Sequence, residues 1–384
     1  MSDLYIELND WQFTLFDNQE VLYSDVAAAS SYPGALEFGT NAWHHARLAP
    51  QQFNARFLMN LAADPIPAIG QAQNMADLIY YQFMQIAERV GSQACVVGIP
   101  GYVSNEQLGL LLGIAQQAGI EVRGFVDLAL ACAAGQGIVE STQVVDLELY
   151  RLVTTRIERS GEELAVRHCE LDQGVGALNL IDSWLNLIAD DFVTRTRFDP
   201  MHDGACEQQL FNQMSDYAQG LSTPSSVYIE HGGVRREADL SSSALQAKTK
   251  QRTERVNLEA PVLLTHRAAA FPGLQAALQD RGLQISIAGK QTTQQGMRQL
   301  AGLLPANQVA RIRSCASNAP AGAATAGSTK TSSASIPPPV THLLAEGIAA
   351  PIDQLAPDQP LTVGQEIQLD GVKYLAIHVP DGRV

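Results

Sequence analysis

The sequence predicts an α/β fold, and three observations carry the prediction. Segments with strand character and segments with helix character alternate through most of the chain. Residues 95–100, CVVGIP, are a short and wholly apolar run of the kind that a strand covered on both faces requires. With 46% hydrophobic and 17% charged residues over 384 positions, the chain has the balance of a globular protein, with material for two domains or one large two-part body. Alternating elements with buried strands argue for helices layered on a sheet.

Taken in order, residues 4–16 (LYIELNDWQFTLF) alternate at period two and predict strand, turn, strand. Residues 75–90 place apolar side chains at helical spacing. After the buried strand at 95–100, Asn105 opens a helix through 118, with Glu106 in its first turn, where the macrodipole favours an acid. A short strand (IEVRGFV), a small-residue helix (DLALACAAGQG) and strands at 142–148 and 152–159 follow. Past Gly176 the pattern turns helical, over 178–192 and 204–221. SVYIEH and VRREADL read as strands joined by a Gly232-Gly233 hairpin turn. VLLTH, a helix at 273–281, the strand QISIAG and a helix near 294–304 close the body.

From 319 to 339 the chain is Ala, Gly, Ser, Thr and Pro apart from Lys330 and Ile336, too little apolar surface to offset ordering entropy, so a flexible tether is expected over 316–339. Residues 340–384 read as a small β tail, with Asp370-Gly371 as its hairpin turn.

The formal net charge is −15, from 25 basic and 40 acidic side chains. Such a field repels phosphate backbones and anionic lipid, so neither nucleic acid nor a membrane surface is the expected partner. No apolar run approaches the ~18 residues of a membrane span. Met1-Ser2-Asp3 is acidic where a secretory leader is basic, so a cytoplasmic setting is expected. The five cysteines are widely spaced with no CxxC pair, which predicts small buried side chains and no zinc knuckle. Lysine is absent before Lys248, and with it any G-x-x-x-x-G-K-[ST] phosphate loop.

The segment CVVGIPGYVSNEQLGLLLGIAQQAGIEVRGFVDLALACAAG resembles the strand–P–A–Y–F–N–D–x–Q helix of the heat-shock-70 chaperone ATPase domain, with Pro100, Tyr102, Asn105 and Gln107 in the family's order. DPMHDGACEQQLFNQMSDYAQGLSTPSSVYIEHGG resembles that family's helix, T-L-S-S turn and hairpin; VLLTHRAAAFPGLQAAL resembles its adenosine segment, and residues 53–58 resemble its F-D-A-K-R-L stretch. The resemblance spans residues 4 to about 313. It implies a bilobal actin-like (ribonuclease-H-like) ATPase fold, with lobe I over 1–138 and lobe II over 139–315, the chain returning to lobe I near its end.

The resemblance also places the nucleotide cleft, and the residues there depart from the family. Its two phosphate turns are glycine-rich because bare backbone must wrap the phosphates. The first, D-L-G-T-T, falls on Glu7-Leu8-Asn9-Asp10-Trp11; the second, D-L-G-G-G-T, falls on Asp146-Leu147-Glu148-Leu149-Tyr150-Arg151. The adenosine glycine pair falls on His266-Arg267, and the catalytic lysine on Arg56. The connecting-segment glutamate aligns with Leu128, beside Asp127. A carboxylate about 4 Å from a phosphate charge costs roughly 4 kcal/mol at an effective dielectric of ~20, about a thousandfold in affinity. The expectation is therefore a vestigial cleft (Glu7, Asn9, Arg56, Asp146, Glu148, His266, Arg267) with no catalytic residue, no metal and no cofactor, Mg-ATP being the cofactor if the site is retained. The implied function is a non-catalytic interaction or regulatory module with a protein partner. The alternatives are an ATP-binding chaperone-like ATPase and an actin-fold assembly scaffold.

Other motifs favour structural roles. His44-His45 reads as a surface loop, and Gly174-x-Gly176 as a turn before a helix, lacking the third glycine of a dinucleotide fingerprint. His168-Cys169 lacks a third partner for nucleophilic catalysis, Asp190-Asp191 reads as a solvated helix end, and Ser104 is outside any G-x-S-x-G elbow.

Overall fold

Residues 4–16 form the antiparallel pair that their alternation predicts, Leu4–Glu7 against Phe13–Phe16, with Ile6 opposite Leu15. The wholly apolar run is the strand Cys95–Ile99, parallel to Leu4–Glu7 and buried throughout. The computed structural model describes residues 4–91, 93–259 and 261–317, and the backbone of four strands between 342 and 377. Contacts divide the chain into two units, Met1–Pro320 and Ala321–Val384.

The first unit is mixed α/β, and five of the six strands in each of its two large sheets share one topology. The first sheet runs Arg311–Ile312, Val122–Asp127, Cys95–Ile99, Leu4–Glu7, Phe13–Phe16, Val21–Asp25. The second runs Ile285–Ile287, Val262–Leu264, Thr142–Leu147, Arg151–Ser160, Glu163–Gln173, Ser314–Ala316. Each opens with a three-stranded antiparallel meander. Each then adds two parallel strands on the open side of its first strand. Arg311–Ile312 joins the first sheet and Ser314–Ala316 the second, so the chain visits both within six residues.

Each sheet's fifth strand leads into a helix, Leu128–Gly135 in the first half and Thr292–Ala301 in the second, and the two helices cross at van der Waals contact. A Cβ on Gly296 would lie 1.7 Å from the Ala131 carbonyl oxygen, so only a bare α-carbon allows the crossing. Tyr5, Val96, Leu130, Leu263 and Met297 fill the core between the sheets at this point. A second tie is Trp43, a first-half residue buried among Phe211 and Met214 of the second half, its Nε1–H donating to Ser215 Oγ at 2.9 Å.

Among the elements beyond the sequence expectation are the strands Val21–Asp25 and Glu163–Gln173 that complete the meanders, the strand pair Pro65–Ile69 and Ala72–Asn74, and the helix Ser242–Thr253. The helix at Ala177–Thr196 continues past Asp190-Asp191, so those acids are not at its end; Asp191 pairs with Arg195 one turn on. In the second unit, four strands form one sheet in the order Ile348–Pro351, His342–Ala345, Val372–Ile377, Glu366–Leu369. Leu369 pairs with Val372, and the Asp370-Gly371 turn between them lies outside the described residues, as does the tether from 318 on. Among the described residues, no helix is long and apolar enough to cross a membrane.

Candidate functional site

The two turns that open the meanders, 8–12 and 148–150, face each other across the junction of the sheets and are joined by their own side chains. Asn9 folds back as an Asx turn, its Oδ1 accepting the N–H groups of Trp11 (2.9 Å) and Gln12 (3.2 Å). Its Nδ2 crosses to the other half and donates to the Leu147 carbonyl (3.0 Å) and to Asp146 Oδ2 (3.2 Å). In return, the Leu149 N–H donates to Asp10 Oδ1 at 2.7 Å. Gly176 lets the second turn lie flat on the next helix, because a Cβ there would meet the Arg151 nitrogen at 2.2 Å. Thus three turn amides, those of Trp11, Gln12 and Leu149, are bonded to Asn9 and Asp10.

Beside the turns, Arg267 reaches between the sheets and pairs with a carboxylate from each. Its guanidinium donates to Glu7 at the end of the first sheet's opening strand. It also grips Asp146 with two bonds, Nη2 to Oδ2 at 2.6 Å and Nε to Oδ1 at 3.2 Å. Thr265 Oγ1 donates to Asp146 Oδ1 at 2.6 Å. The pairs are shut away from water: Arg267, Glu7 and Asp146 expose 8%, 4% and 15% of their side chains. Burial alone would depress the Arg267 guanidinium, but Asp146 and Glu7 more than reverse that and hold it above its ordinary value.

A second buried group sits behind the 148–150 turn. Glu148 accepts from Arg151 Nε at 2.6 Å and from the Tyr102 hydroxyl at 2.7 Å, and the Arg151 guanidinium lies 3.9 Å from the Tyr102 ring centre. Burial raises the Glu148 carboxyl, opposed by Arg151. Burial and the neighbouring Glu148 charge push Asp10 well above the usual carboxylate range, and its Oδ2 has no hydrogen-bond partner.

The structure thus gathers Glu7, Asn9, Asp146 and Arg267 into one network and sets Glu148 next to it. Arg56 stays out of the network: it is exposed and stacks 3.6 Å from the Tyr150 ring centre. His266 is half-buried and lines, with Glu7, Thr14, Arg267, Lys290 and Thr293, a cavity of 210 Å³, below the ~300–1,000 Å³ of most small-molecule sites. Burial, then Lys290 and Arg267, lower the His266 imidazole pKa, which keeps the ring neutral at pH 7. Asp127 caps the Leu128–Gly135 helix through the N–H groups of Ala129 and Leu130 and lies 3.7 Å from Arg311.

Sequence reasoning missed Thr265, Arg151 and Tyr102 as members of these networks. A Thr immediately before His266-Arg267 carries no periodic or spacing signal, and Arg151 meets Glu148 only because the turn reverses the chain.

The other motifs take structural places. Ser104 is the N-cap of the Asn105–Gln117 helix, closing a capping box with Gln107. His168 and Cys169 are neighbours on one strand; Cys169 contacts Thr155, while His168 lies near Glu170. His44 is exposed and His45 lies 3.7 Å from Glu37. Comparison with models of known protein families and with characterised proteins finds no match for this chain.

Proposed function

We propose that the chain is a heat-shock-70-like, actin-type two-lobed body whose nucleotide cleft has been sealed by its own side chains, and that it acts by protein contact as an interaction or regulatory module. Support for the fold comes from the repeated sheet order, a three-stranded meander plus two parallel strands in each half, each leading into one of two crossing helices. The observation that carries the functional reading is the Arg267 bridge between Glu7 and Asp146, with the turn amides of Trp11, Gln12 and Leu149 bonded to Asn9 and Asp10. A triphosphate would have to displace a buried, doubly paired guanidinium and strip three amides of good acceptors. It would then face Asp10 and Glu148 at close range. The five free cysteines suit a reducing compartment, in keeping with a cytoplasmic protein.

The test is thermal unfolding with and without millimolar Mg-ATP, followed by phosphate release from wild type and Asp146→Ala. A ligand present at a hundred times its Kd adds about 2.7 kcal/mol, which is roughly 4 °C for a body of this size. We expect no shift, and phosphate release no faster from wild type than from the variant. A shift of several degrees would establish the ATP-binding alternative instead.

A further inference from the structure

In the second half, apart from the Arg267 and Glu148 networks, three potential metal ligands converge from two elements. Asp203 is the N-cap of the helix Gly204–Ala218, and Cys206 lies in that helix's first turn. His231 ends the strand Ser226–His231 of the hairpin packed on it. Cys206 Sγ is 3.5 Å from His231 Nδ1, and the same nitrogen is 3.8 Å from Asp203 Oδ2. All three donor atoms fall within 4.8 Å of one another. A tetrahedral ion with a sulfur bond of ~2.3 Å and nitrogen and oxygen bonds of ~2.0–2.1 Å has ligand–ligand edges of about 3.3–3.6 Å. The Cys206–His231 separation already matches, and Asp203 would close on the ion by up to about 1 Å.

The scaffold around the trio is already fixed. Gln209 and Gln213, one turn apart on the helix, each clasp the backbone of the adjoining strand. Gln209 accepts from the Glu230 N–H (2.8 Å) and donates to its carbonyl (3.1 Å), and Gln213 does the same at Tyr228 (3.1 and 2.8 Å). The His231 ring rests against Phe198, 5.0 Å between centres. Asp203 Oδ1 is committed to the Cys206 N–H at 2.9 Å, which leaves Oδ2 to turn toward the ion. The Cys206 thiol is fully buried, whereas Asp203 and His231 keep 38% and 45% of their side chains exposed, so the trio is open to solvent on their side.

We propose that Asp203, Cys206 and His231 form a site for a divalent ion of borderline softness such as zinc, with three protein ligands and a fourth position open to water. Thiolate plus carboxylate neutralise the ion, and a mixed S, N, O donor set selects zinc or cobalt over magnesium or calcium. The Arg236 guanidinium is held beside the trio's neighbour Phe198, 4.6 Å from its ring centre. Metal uptake would displace the thiol proton from sulfur to solvent as the S–metal bond forms. The bound ion would pin the hairpin to the helix, and none of its three ligands belongs to the Arg267 network.

The test uses the full chain after chelator treatment, titrated with Co²⁺ and then Zn²⁺. We expect one equivalent of cobalt with a sulfur-to-cobalt charge-transfer absorption, displaced by zinc. Cys206→Ser should lose that band. His231→Ala, which removes a half-exposed ring, should weaken binding by more than the ~10–100-fold typical of losing an outer-shell partner. Cys169→Ser, outside the trio, should bind as wild type. A cobalt spectrum without the sulfur band, or wild-type affinity in His231→Ala, would overturn the assignment.

Discussion

At Arg267 two carboxylates from different sheets share one guanidinium with almost no access to water. Removing one partner of such a buried pair leaves the other charges uncompensated, which costs about 3–5 kcal/mol. Arg267→Met should therefore unfold at markedly lower denaturant, and the triple change with Glu7→Gln and Asp146→Asn should recover most of the loss. Urea titrations of the single and triple variants measure both. Asp10 gives the pH counterpart. Its folded carboxyl is raised above the unfolded value by burial and by Glu148, so the folded state holds the proton more tightly. The stability this contributes is complete below the unfolded pKa and is lost as pH rises through the folded one. Asp10→Asn keeps an acceptor for the Leu149 N–H and cannot ionise. Its urea midpoint should gain on wild type as pH rises from 4 to 8; a gap that stays constant or narrows would rule this out. At this scale the sequence was legible in part. Glu7, Asp146 and Arg267 could be named from motif positions, but Arg267's partners could not, because they lie 260 and 121 positions away.

Among elements, those with a strong local signal were readable and those held by tertiary contacts were not. Cys95–Ile99 is wholly apolar, and Met75–Val90 places Leu78, Ile79, Phe83 and Ile86 on one buried face, so both announced themselves. Ser242–Thr253 buries only Leu245, Thr249 and Thr253, which is too polar a stripe to read as amphipathic. Its Ser241 cap and its packing on the Leu274–Gln279 helix hold it instead. Glu163–Gln173 alternates weakly because much of it is half-exposed, and pairing with Arg151–Ser160 across ten register positions is what makes it a strand. The crossing of Leu128–Gly135 with Thr292–Ala301 is the element contact most sensitive to a single atom. Gly296→Val would force the helices apart at the Ala131 carbonyl, and overpacking at this level costs about 3 kcal/mol. Thermal unfolding of the variant should show a clear loss, whereas Gly109→Ala, where a Cβ meets nothing within 4 Å, should not.

For the whole molecule, α/β class, a buried central strand and the order of most elements followed from the sequence alone, since periodicity, turn residues and apolar runs are local properties of the chain. That the turns at 8–12 and 148–150 carry no glycine was visible there too, because residue identity is evident without coordinates. What only the tertiary structure decided was how the replacements are used: that Asn9 and Asp10 consume the turn amides, that Arg267 joins the two sheets, and that Asp203, Cys206 and His231 share one corner. Each depends on bringing together side chains from separate elements. That juxtaposition is set by the pairing of two sheets and the packing between them, which no local pattern of residues encodes.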